Sequence, residues 1–158
     1  MLFVLLKIDA DTYALDAERV VKILPLVTLK LTPHSPHGIA GLLNYRQQAV
    51  PVADLTMCAT GRASRPMLTT RILLVNYPAG SETAHLLGVI AEGISRTEQL
   101  DPDKFEEAGI EAREAGYLGP VMAHNGELIQ RIEIEHLLTE ETKARLFTGE
   151  EAAAWRTL

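Results

Sequence analysis

The sequence is poor in several kinds of residue, and each scarcity narrows the range of functions. It contains one cysteine, Cys58, so no internal disulfide can form, which fits a reducing compartment. Aromatic residues make up 5% of the chain, too few for the stacking platforms on which single-stranded nucleic acids bind. The formal net charge is −6, whereas nucleic-acid backbones select basic surfaces. We therefore expect no nucleic-acid partner.

The motifs of several common enzyme classes are absent as well. The chain has no phosphate-binding glycine loop, no dinucleotide fingerprint and no Gly-x-Ser-x-Gly elbow. The apolar run from Met1 to Leu6 ends at Lys7, too early for a signal peptide or a membrane span. We expect a cytoplasmic protein without direct membrane insertion. Its 158 residues, 47% of them hydrophobic, suggest one domain with a sizeable core.

Short apolar segments separated by glycine, proline and Asn-Gly turns predict a mainly β protein. About ten strands at this spacing favour a small barrel or sandwich over a parallel sheet. The strands are predicted near Leu2–Ile8, Thr12–Leu15, Val27–Leu31, Ile39–Tyr45, Ala49–Leu55, Arg71–Tyr77, Leu86–Ala91, Ile94–Gln99, Leu118–Ala123 and Leu128–Ile134.

Helices are predicted at a few places only, over Ala17–Leu24, Glu135–Phe147 and residues 148–155. The first has Asp16 as its N-cap and is ended by Pro25, and the last begins with the spacing of a capping box. Residues 56–66 are predicted to form a flexible loop, and residues 101–116 a long connection. The residues of the first helix expected to face the core are Val20, Val21, Ile23 and Leu24.

The most informative segment spans residues 33–55. Prolines at its start hold the chain extended, and two apolar runs, Ile39–Leu43 and Ala49–Leu55, flank a short polar turn. This pattern predicts a β-hairpin with a charged tip, which carries Arg46. Because a guanidinium can bind a carboxylate through two hydrogen bonds, such a tip suits recognition better than bond chemistry. A second hairpin is predicted across Asn125-Gly126.

The first hairpin resembles the signature of the CheW family of chemotaxis coupling proteins. In that family an Asn-Leu-Arg-Gly tip precedes an apolar-Pro-Val-apolar-Asp-Leu strand. In this chain Tyr45 replaces the leucine of the tip and Gln47 replaces its glycine. The positions that match the signature in register are Gly41, Asn44, Arg46, Pro51, Val52, Asp54 and Leu55.

The resemblance extends over most of the chain. Lys22 stands in place of the glutamate in the family's Val-x-Glu-Ile segment. Gly88 matches the glycine of a later family strand, and Gly126 lies in a segment similar to the closing hairpin. We therefore predict a CheW-like domain over residues 1–138 and a C-terminal helical extension over residues 139–158. The changed residues leave open whether the chain serves the main flagellar pathway or a parallel chemosensory pathway.

The resemblance implies a fold, a function and site residues. The family folds as two intertwined five-stranded SH3-like β-barrels, here with a C-terminal helix, so the expected class is all-β with short helices. Its members are non-enzymatic scaffolds that couple methyl-accepting chemoreceptors to a CheA-type histidine kinase at membrane-associated arrays. The resemblance implies partner contact by Arg46, Lys22, Val20, Tyr45 and Gln47. It implies a structural role in the motif for Gly41, Asn44, Pro51, Asp54, Gly88 and Gly126.

Other interpretations of the same residues stay open from sequence alone. Arg46 could form an intramolecular ion pair or act with a carboxylate in a small enzyme, and the barrel could bind a regulatory small molecule. His34 and His37 lack the further ligands of a structural metal site, and the Cys58 thiol has no accompanying base. We expect no catalytic residue, no metal and no cofactor.

Overall fold

The structure is a computed structural model that describes residues 1–78, 84–108 and 116–147. Strands dominate this part of the chain, and the two α-helices are short, so the prediction of an all-β fold with short helices is confirmed. The strands are β1 Leu2–Ile8, β2 Asp11–Asp16, β3 Val20–Pro25, β4 Ile39–Tyr45, β5 Gln48–Asp54, β6 Arg71–Pro78, β7 Ala84–Gln99, β8 Leu118–His124 and β9 Glu127–Ile132. The helices are α1 Leu55–Thr60 and α2 Glu140–Phe147, with 3₁₀ turns at Ala17–Arg19, Pro102–Lys104 and Ile134–His136.

The 16-residue strand β7 belongs to two five-stranded sets at once. Residues 84–91 pair with β6 and also, in parallel, with β5, which gives the first set the order β3-β6-β7-β5-β4. Residues 92–99 pair with β1, which gives the second set the order β7-β1-β2-β9-β8. The resemblance implied two intertwined five-stranded barrels. The structure has two five-stranded sets built from nine strands, because β7 belongs to both.

The segments predicted as Leu86–Ala91 and Ile94–Gln99 form one strand, because β7 continues through Glu92-Gly93. Gly93 has φ +66°, and a Cβ there would lie 2.5 Å from Lys7 Cγ. The pairing between β1 and β7 shifts register at the same place, between Leu5 and Lys7. The strand therefore bulges at this glycine without ending, since Glu92 pairs with Lys7 and Arg96 with Leu5.

The predicted helix over Ala17–Leu24 is also wrong. A 3₁₀ turn covers Ala17–Arg19, with Asp16 accepting a hydrogen bond from the Glu18 amide at 2.9 Å, and β3 follows. The β-branched residues of this segment fit a strand better than a helix, and β6 supplies the pairing partner. The strand predicted over Val27–Leu31 is not formed either. Only Lys30 in that segment makes a bridge, to Leu42.

Two further boundaries differ from the prediction. The supposed loop over residues 56–66 begins with α1, which Gly61 ends in the left-handed conformation at φ +78°. The helix predicted over Glu135–Phe147 is divided into a 3₁₀ turn and α2, and Thr139 Oγ1 caps the start of α2 by accepting from the Thr142 amide at 3.1 Å. The helix predicted over residues 148–155 lies outside the described residues.

Three hydrophobic clusters explain the near-continuous apolar sequences of β1 and β6. One cluster lies within the first set of strands and another within the second, and the largest contains residues of both sets. In β1, Phe3 and Leu5 join the cluster of the second set, whereas Val4 and Leu6 join the shared one. Strand β6 divides its residues between the first set and the shared cluster in the same alternating way. Both faces of these strands are therefore buried.

Tyr77 in β6 attaches the C-terminal segment to the shared core. Its side chain is fully buried, and its hydroxyl donates to the Glu135 carbonyl at 3.0 Å and accepts from the Leu138 amide at 3.1 Å. The ring stacks on Phe147 of α2 with centroids 5.9 Å apart. Burial raises the pKa of Tyr77 to about 12, so the hydroxyl keeps its proton at neutral pH.

We predict that Tyr77→Phe lowers the free energy of unfolding by about 1–3 kcal/mol, because it leaves the buried Leu138 amide without an acceptor. Urea denaturation followed by circular dichroism measures the change. Tyr45→Phe is the matched control, because no described hydrogen bond uses the Tyr45 hydroxyl, and it should shift stability by less than about 0.5 kcal/mol. Equal effects of the two substitutions would show that the Tyr77 hydroxyl contributes nothing specific.

Candidate functional site

The tip of the β4–β5 hairpin is a two-residue turn formed by Arg46 and Gln47. Both residues have positive φ, +49° and +69°, which is the geometry of a type I′ turn. Tyr45 pairs with Gln48 directly beside it, so the predicted hairpin is confirmed. Asn44 Oδ1 accepts a hydrogen bond from the Gln47 amide at 3.2 Å, and this bond supports the strained turn. The tip is thereby held in one conformation.

Arg46 is exposed at this tip. Its guanidinium carbon lies 5.3 Å from the centre of the Tyr45 ring, a cation–π distance, and Tyr45 itself is half-buried. No carboxylate within residues 1–78, 84–108 and 116–147 forms an ion pair with Arg46, so the described chain does not support the intramolecular pair. The guanidinium is held against an aromatic ring and stays open to a carboxylate from outside.

Gly41 and Pro51 lie where the hairpin meets the segment that follows β3. Leu42 exchanges two backbone hydrogen bonds with Lys30, at 2.9 and 2.8 Å, and a Cβ on Gly41 would lie 2.6 Å from the Lys30 carbonyl oxygen. Only glycine therefore permits this approach. Pro51 lies opposite Leu42 in β5. Because the backbone N–H and C=O of Leu42 bond to Lys30 instead, the N–H that Pro51 lacks costs no hydrogen bond between β4 and β5.

Asp54 anchors the base of the hairpin. The residue is 6% exposed, and Oδ1 accepts from the Met57 amide at 3.2 Å and from Ser64 Oγ at 2.6 Å. Oδ2 accepts from the Ser64 amide at 2.8 Å. One carboxylate thus caps α1 and holds the chain that leaves it. The structure places Asp54 under the hairpin rather than at its exposed surface.

The remaining two glycines of the predicted motif lie away from the tip. Gly88 sits in β7 between β5 and β6, where a Cβ would lie 2.8 Å from Val52 Cγ2. Gly126 has φ +82° and follows Asn125 at φ +49° in the tight turn between β8 and β9, so the Asn-Gly hairpin is confirmed. A Cβ at Gly126 would meet no atom within 4 Å. Glycine is therefore favoured there by the backbone conformation and not by lack of space.

Lys22 and Val20 lie on β3, at the other edge of the first set from β4. Val20 pairs with Val75 and Lys22 with Leu74, so the residue between them, Val21, is an unpaired bulge. Lys22 is exposed, and the structure does not join it to the hairpin tip. The predicted burial of this stripe is wrong for Val21 and Ile23, which are 48% and 37% exposed.

A groove that the sequence gave no reason to expect lies between the two sets of strands. Its volume is about 280 Å³, and its lining comes from β1, β3, β6 and β7. Ile23, Val4 and Ile94 supply apolar surface. Arg71 adds positive charge, while Arg96 is paired with Glu98 at 3.3 Å and Glu127 at 3.8 Å. These residues are far apart in the chain, so no local motif marks them. The only hint in the sequence is Ile23, which adjoins Lys22.

The described residues offer little for bond chemistry. Burial, together with the negative charge of Asp54, raises the pKa of Cys58 to about 11, which disfavours the reactive thiolate.

One group of possible metal ligands exists in the described chain, Glu133, Glu135 and His136, whose ligand atoms lie within 4.8 Å of one another. Glu133 lies 3.9 Å from the His136 ring, and Glu135 lies 3.6 Å from Arg19. The absence of a bound metal stays a prediction.

Comparison with known proteins identifies a matching family model and similar solved structures. A family model, described as the CheW-like domain, matches residues 2–142. The crystal structure of the scaffolding protein TtCheW from Thermoanaerobacter tengcongensis is similar over 89% of this chain and 89% of that chain, with a TM-score of 0.76 and 19% sequence identity. No curated protein matches the sequence. Neither helix in the described part of the chain is long and apolar enough to cross a membrane.

The strained turn generates a prediction about stability. Replacing Gln47, at φ +69°, with glycine should raise the free energy of unfolding by about 1 kcal/mol, because a Cβ disfavours the left-handed conformation. Gln48→Gly is the matched control, since Gln48 lies in β5, and glycine in a strand should lower stability by about 0.5–1 kcal/mol. Chemical denaturation of the three proteins checks both signs. A loss of stability in Gln47→Gly would contradict the assigned turn strain.

Proposed function

The chain belongs to the family of CheW-like domains, and from this we propose that it is a scaffold that couples a methyl-accepting chemoreceptor to a CheA-type histidine kinase. It acts in the cytoplasm and is recruited to membrane-associated receptor arrays. We propose that the CheW-like domain spans residues 1–138 and that residues 139–158 are a C-terminal extension, which begins with α2. The protein carries out no catalysis itself.

The mechanism requires rigid surfaces rather than reactive groups. By resemblance, the two five-stranded sets replace or mimic the homologous regulatory domain of the kinase in a ring. Strand β7 runs through both sets, so a load on one set is transmitted to the other through continuous backbone. The state of the receptor then reaches the kinase because both partners are held in a fixed relative geometry.

The observation that carries this proposal is the exposed Arg46 on a tightly constrained turn. A guanidinium already held in place loses little freedom when a partner carboxylate binds it, so more of the interaction energy remains for affinity. Tyr45 and Gln47 flank it and would contact the same partner. In the described residues no carboxylate competes for Arg46, which supports an intermolecular role.

The second partner is assigned to the β3 edge and the adjoining groove. Val20 and Lys22 lie on the same strand as the exposed Ile23, which lines the groove. Arg71 favours a partner with acidic residues beside apolar ones, whereas Arg96 is already paired with Glu98 and Glu127. The edge and the tip lie at opposite ends of the strand order in the first set. Two partners can therefore bind the same scaffold without competing for one surface.

The two other interpretations gain less support. A small enzyme would need a reactive group, yet Arg46 has no described carboxylate beside it and burial suppresses the Cys58 thiolate. A regulatory ligand-binding barrel would need an enclosed cavity, whereas the larger recesses described, of about 350 and 280 Å³, are open grooves. This chain has Lys22 where the family has glutamate and Gln47 where the family has glycine. These two differences favour a parallel chemosensory pathway over the main flagellar one.

Reconstitution tests the function directly. The purified chain is mixed with a CheA-type kinase and with a chemoreceptor, separately and together, and complex formation is followed by sedimentation. Binding to each partner alone and a ternary complex with both are expected. A chain that binds neither protein would contradict the scaffold function.

Arg46→Ala should lower the affinity for one of the two partners by about 2 kcal/mol or more, because a desolvated carboxylate would lose its partner. Thermal stability should change by less than about 0.5 kcal/mol, since the side chain is exposed. Calorimetric titration and melting curves measure the two effects. Arg65→Ala, another exposed arginine without a described ion pair, is the control and should bind normally. Reduced stability with unchanged affinity would make Arg46 structural.

Lys22→Glu should weaken the native complex by about tenfold at low salt and improve binding to a CheA-type kinase or receptor of the ordinary flagellar pathway. The family carries glutamate at this position, so a partner of the ordinary family member should present positive charge there. Affinities for both partners are measured at low and high salt, with Lys104→Glu as the charge-matched control. If neither affinity changes at low salt, Lys22 is only a solvated residue of the edge strand.

A further inference from the structure

Strand β4 has an unused backbone edge immediately before the hairpin tip. In a two-residue hairpin the residues flanking the turn exchange ladder hydrogen bonds, and bonded and non-bonded pairs then alternate along the strands. Tyr45 pairs with Gln48 and Leu43 with Val50 as bonded pairs, so Asn44 and Ala49 form a non-bonded pair. The backbone N–H and C=O of Asn44 therefore point away from β5.

The same alternation is visible one pair further along. Leu42 also directs its N–H and C=O away from β5, and both groups bond to Lys30, at 2.8 and 2.9 Å. This bridge is isolated and does not continue to Asn44. In the part of the chain that the structure describes, no hydrogen bond uses the outward backbone groups of Asn44. The edge is thus paired up to Leu42 and open at the next outward residue.

A groove of about 350 Å³ covers one face of the hairpin beside this open edge, because its lining comes from both β4 and β5. Three consecutive β4 residues, Leu42, Leu43 and Asn44, line it together with Lys30, and residues 47–49 complete the lining. Its volume falls in the lower part of the range of ligand sites and suits a few residues of extended chain. The amide side chains of Asn44 and Gln48 add polar lining, so the groove can accommodate backbone as well as side chains.

The charges around the groove select its occupant. Lys30 is exposed and lines the groove, and Arg46 follows directly after Tyr45 at the tip. Neither cation forms an ion pair with a carboxylate among the described residues. The site therefore favours an extended segment that carries a carboxylate side chain.

We infer that β4 is a strand-addition site: a short extended segment of the kinase, carrying an acidic side chain, pairs with the backbone of Asn44 and places its carboxylate against Lys30. This inference rests on the proposed function and specifies how one partner binds at the tip. Main-chain hydrogen bonds provide the pairing, and the cations at the groove provide selectivity, as in other cases of strand addition.

Amide hydrogen exchange at single-residue resolution tests the inference with the full chain, free and saturated with the purified CheA-type kinase. The Asn44 amide should exchange about tenfold more slowly in the complex, because it gains an acceptor. The Leu42 amide serves as the internal control, since it is already bonded to Lys30 and should change little.

A charge variant adds a second measurement. Lys30→Glu should lower the affinity for the kinase by about tenfold while leaving the backbone bridge to Leu42 in place, which melting curves check. Lys104→Glu, an equal change on the exposed 3₁₀ turn Pro102–Lys104, should alter the affinity by less than about twofold.

The outcomes separate the inference from the function on which it rests. A complex that forms without slower exchange at Asn44 would overturn strand addition and leave the scaffold function intact. The absence of any complex would overturn both. Protection of Asn44 in the free chain that grows with protein concentration would show that a second copy occupies the edge, and this result too would overturn pairing with the kinase.

Discussion

The fold depends on one strand that belongs to two sets. Strand β7 pairs with β6 and β5 through residues 84–91 and with β1 through residues 92–99. Gly93 makes this possible, because only a residue without a side chain can adopt φ +66° so close to Lys7. Ala91 and Ile94, on either side of Gly93, both belong to the shared core. The continuous strand and this core together link the two sets.

The residues that stabilise the fold around this shared strand are buried, and they differ from the exposed residues proposed for recognition. β1 and β6 are buried on both faces, and Asp54 and Tyr77 use buried polar groups to fix α1 and the C-terminal segment. The residues proposed for recognition lie instead at edges and turns, where Arg46 and Lys22 are exposed. Such a division suits a scaffold, because partner-specific residues can change at the surface without disturbing the packing that positions them. Gln47 lies at such a turn, where it adopts the left-handed conformation at φ +69°.

Local chemistry accounts for the parts of the structure that were predicted correctly. The two hairpins follow from turn residues between apolar runs, and the turn dictates the register of its own strands. The β3 segment shows where such reasoning fails. The spacing of its apolar residues allowed a helix, but its β-branched residues prefer a strand, and pairing with β6 stabilises that strand in the fold. The α1 helix was missed for a similar reason, because the carboxylate that caps it is also held by Ser64, ten residues beyond Asp54.

The features of the candidate site also fall into those that could be predicted from sequence and those that could not. Arg46 and its neighbours could be identified from sequence, because seven matching positions of one hairpin stand close together in the chain. The bulge at Val21, the groove between the two sets and the open edge at Asn44 could not. Each of these requires knowing which distant segments lie side by side, and that follows from packing both sets against one core. Short-range residue patterns specify turns and strands, whereas surfaces formed between strands exist only after long-range pairing has placed them.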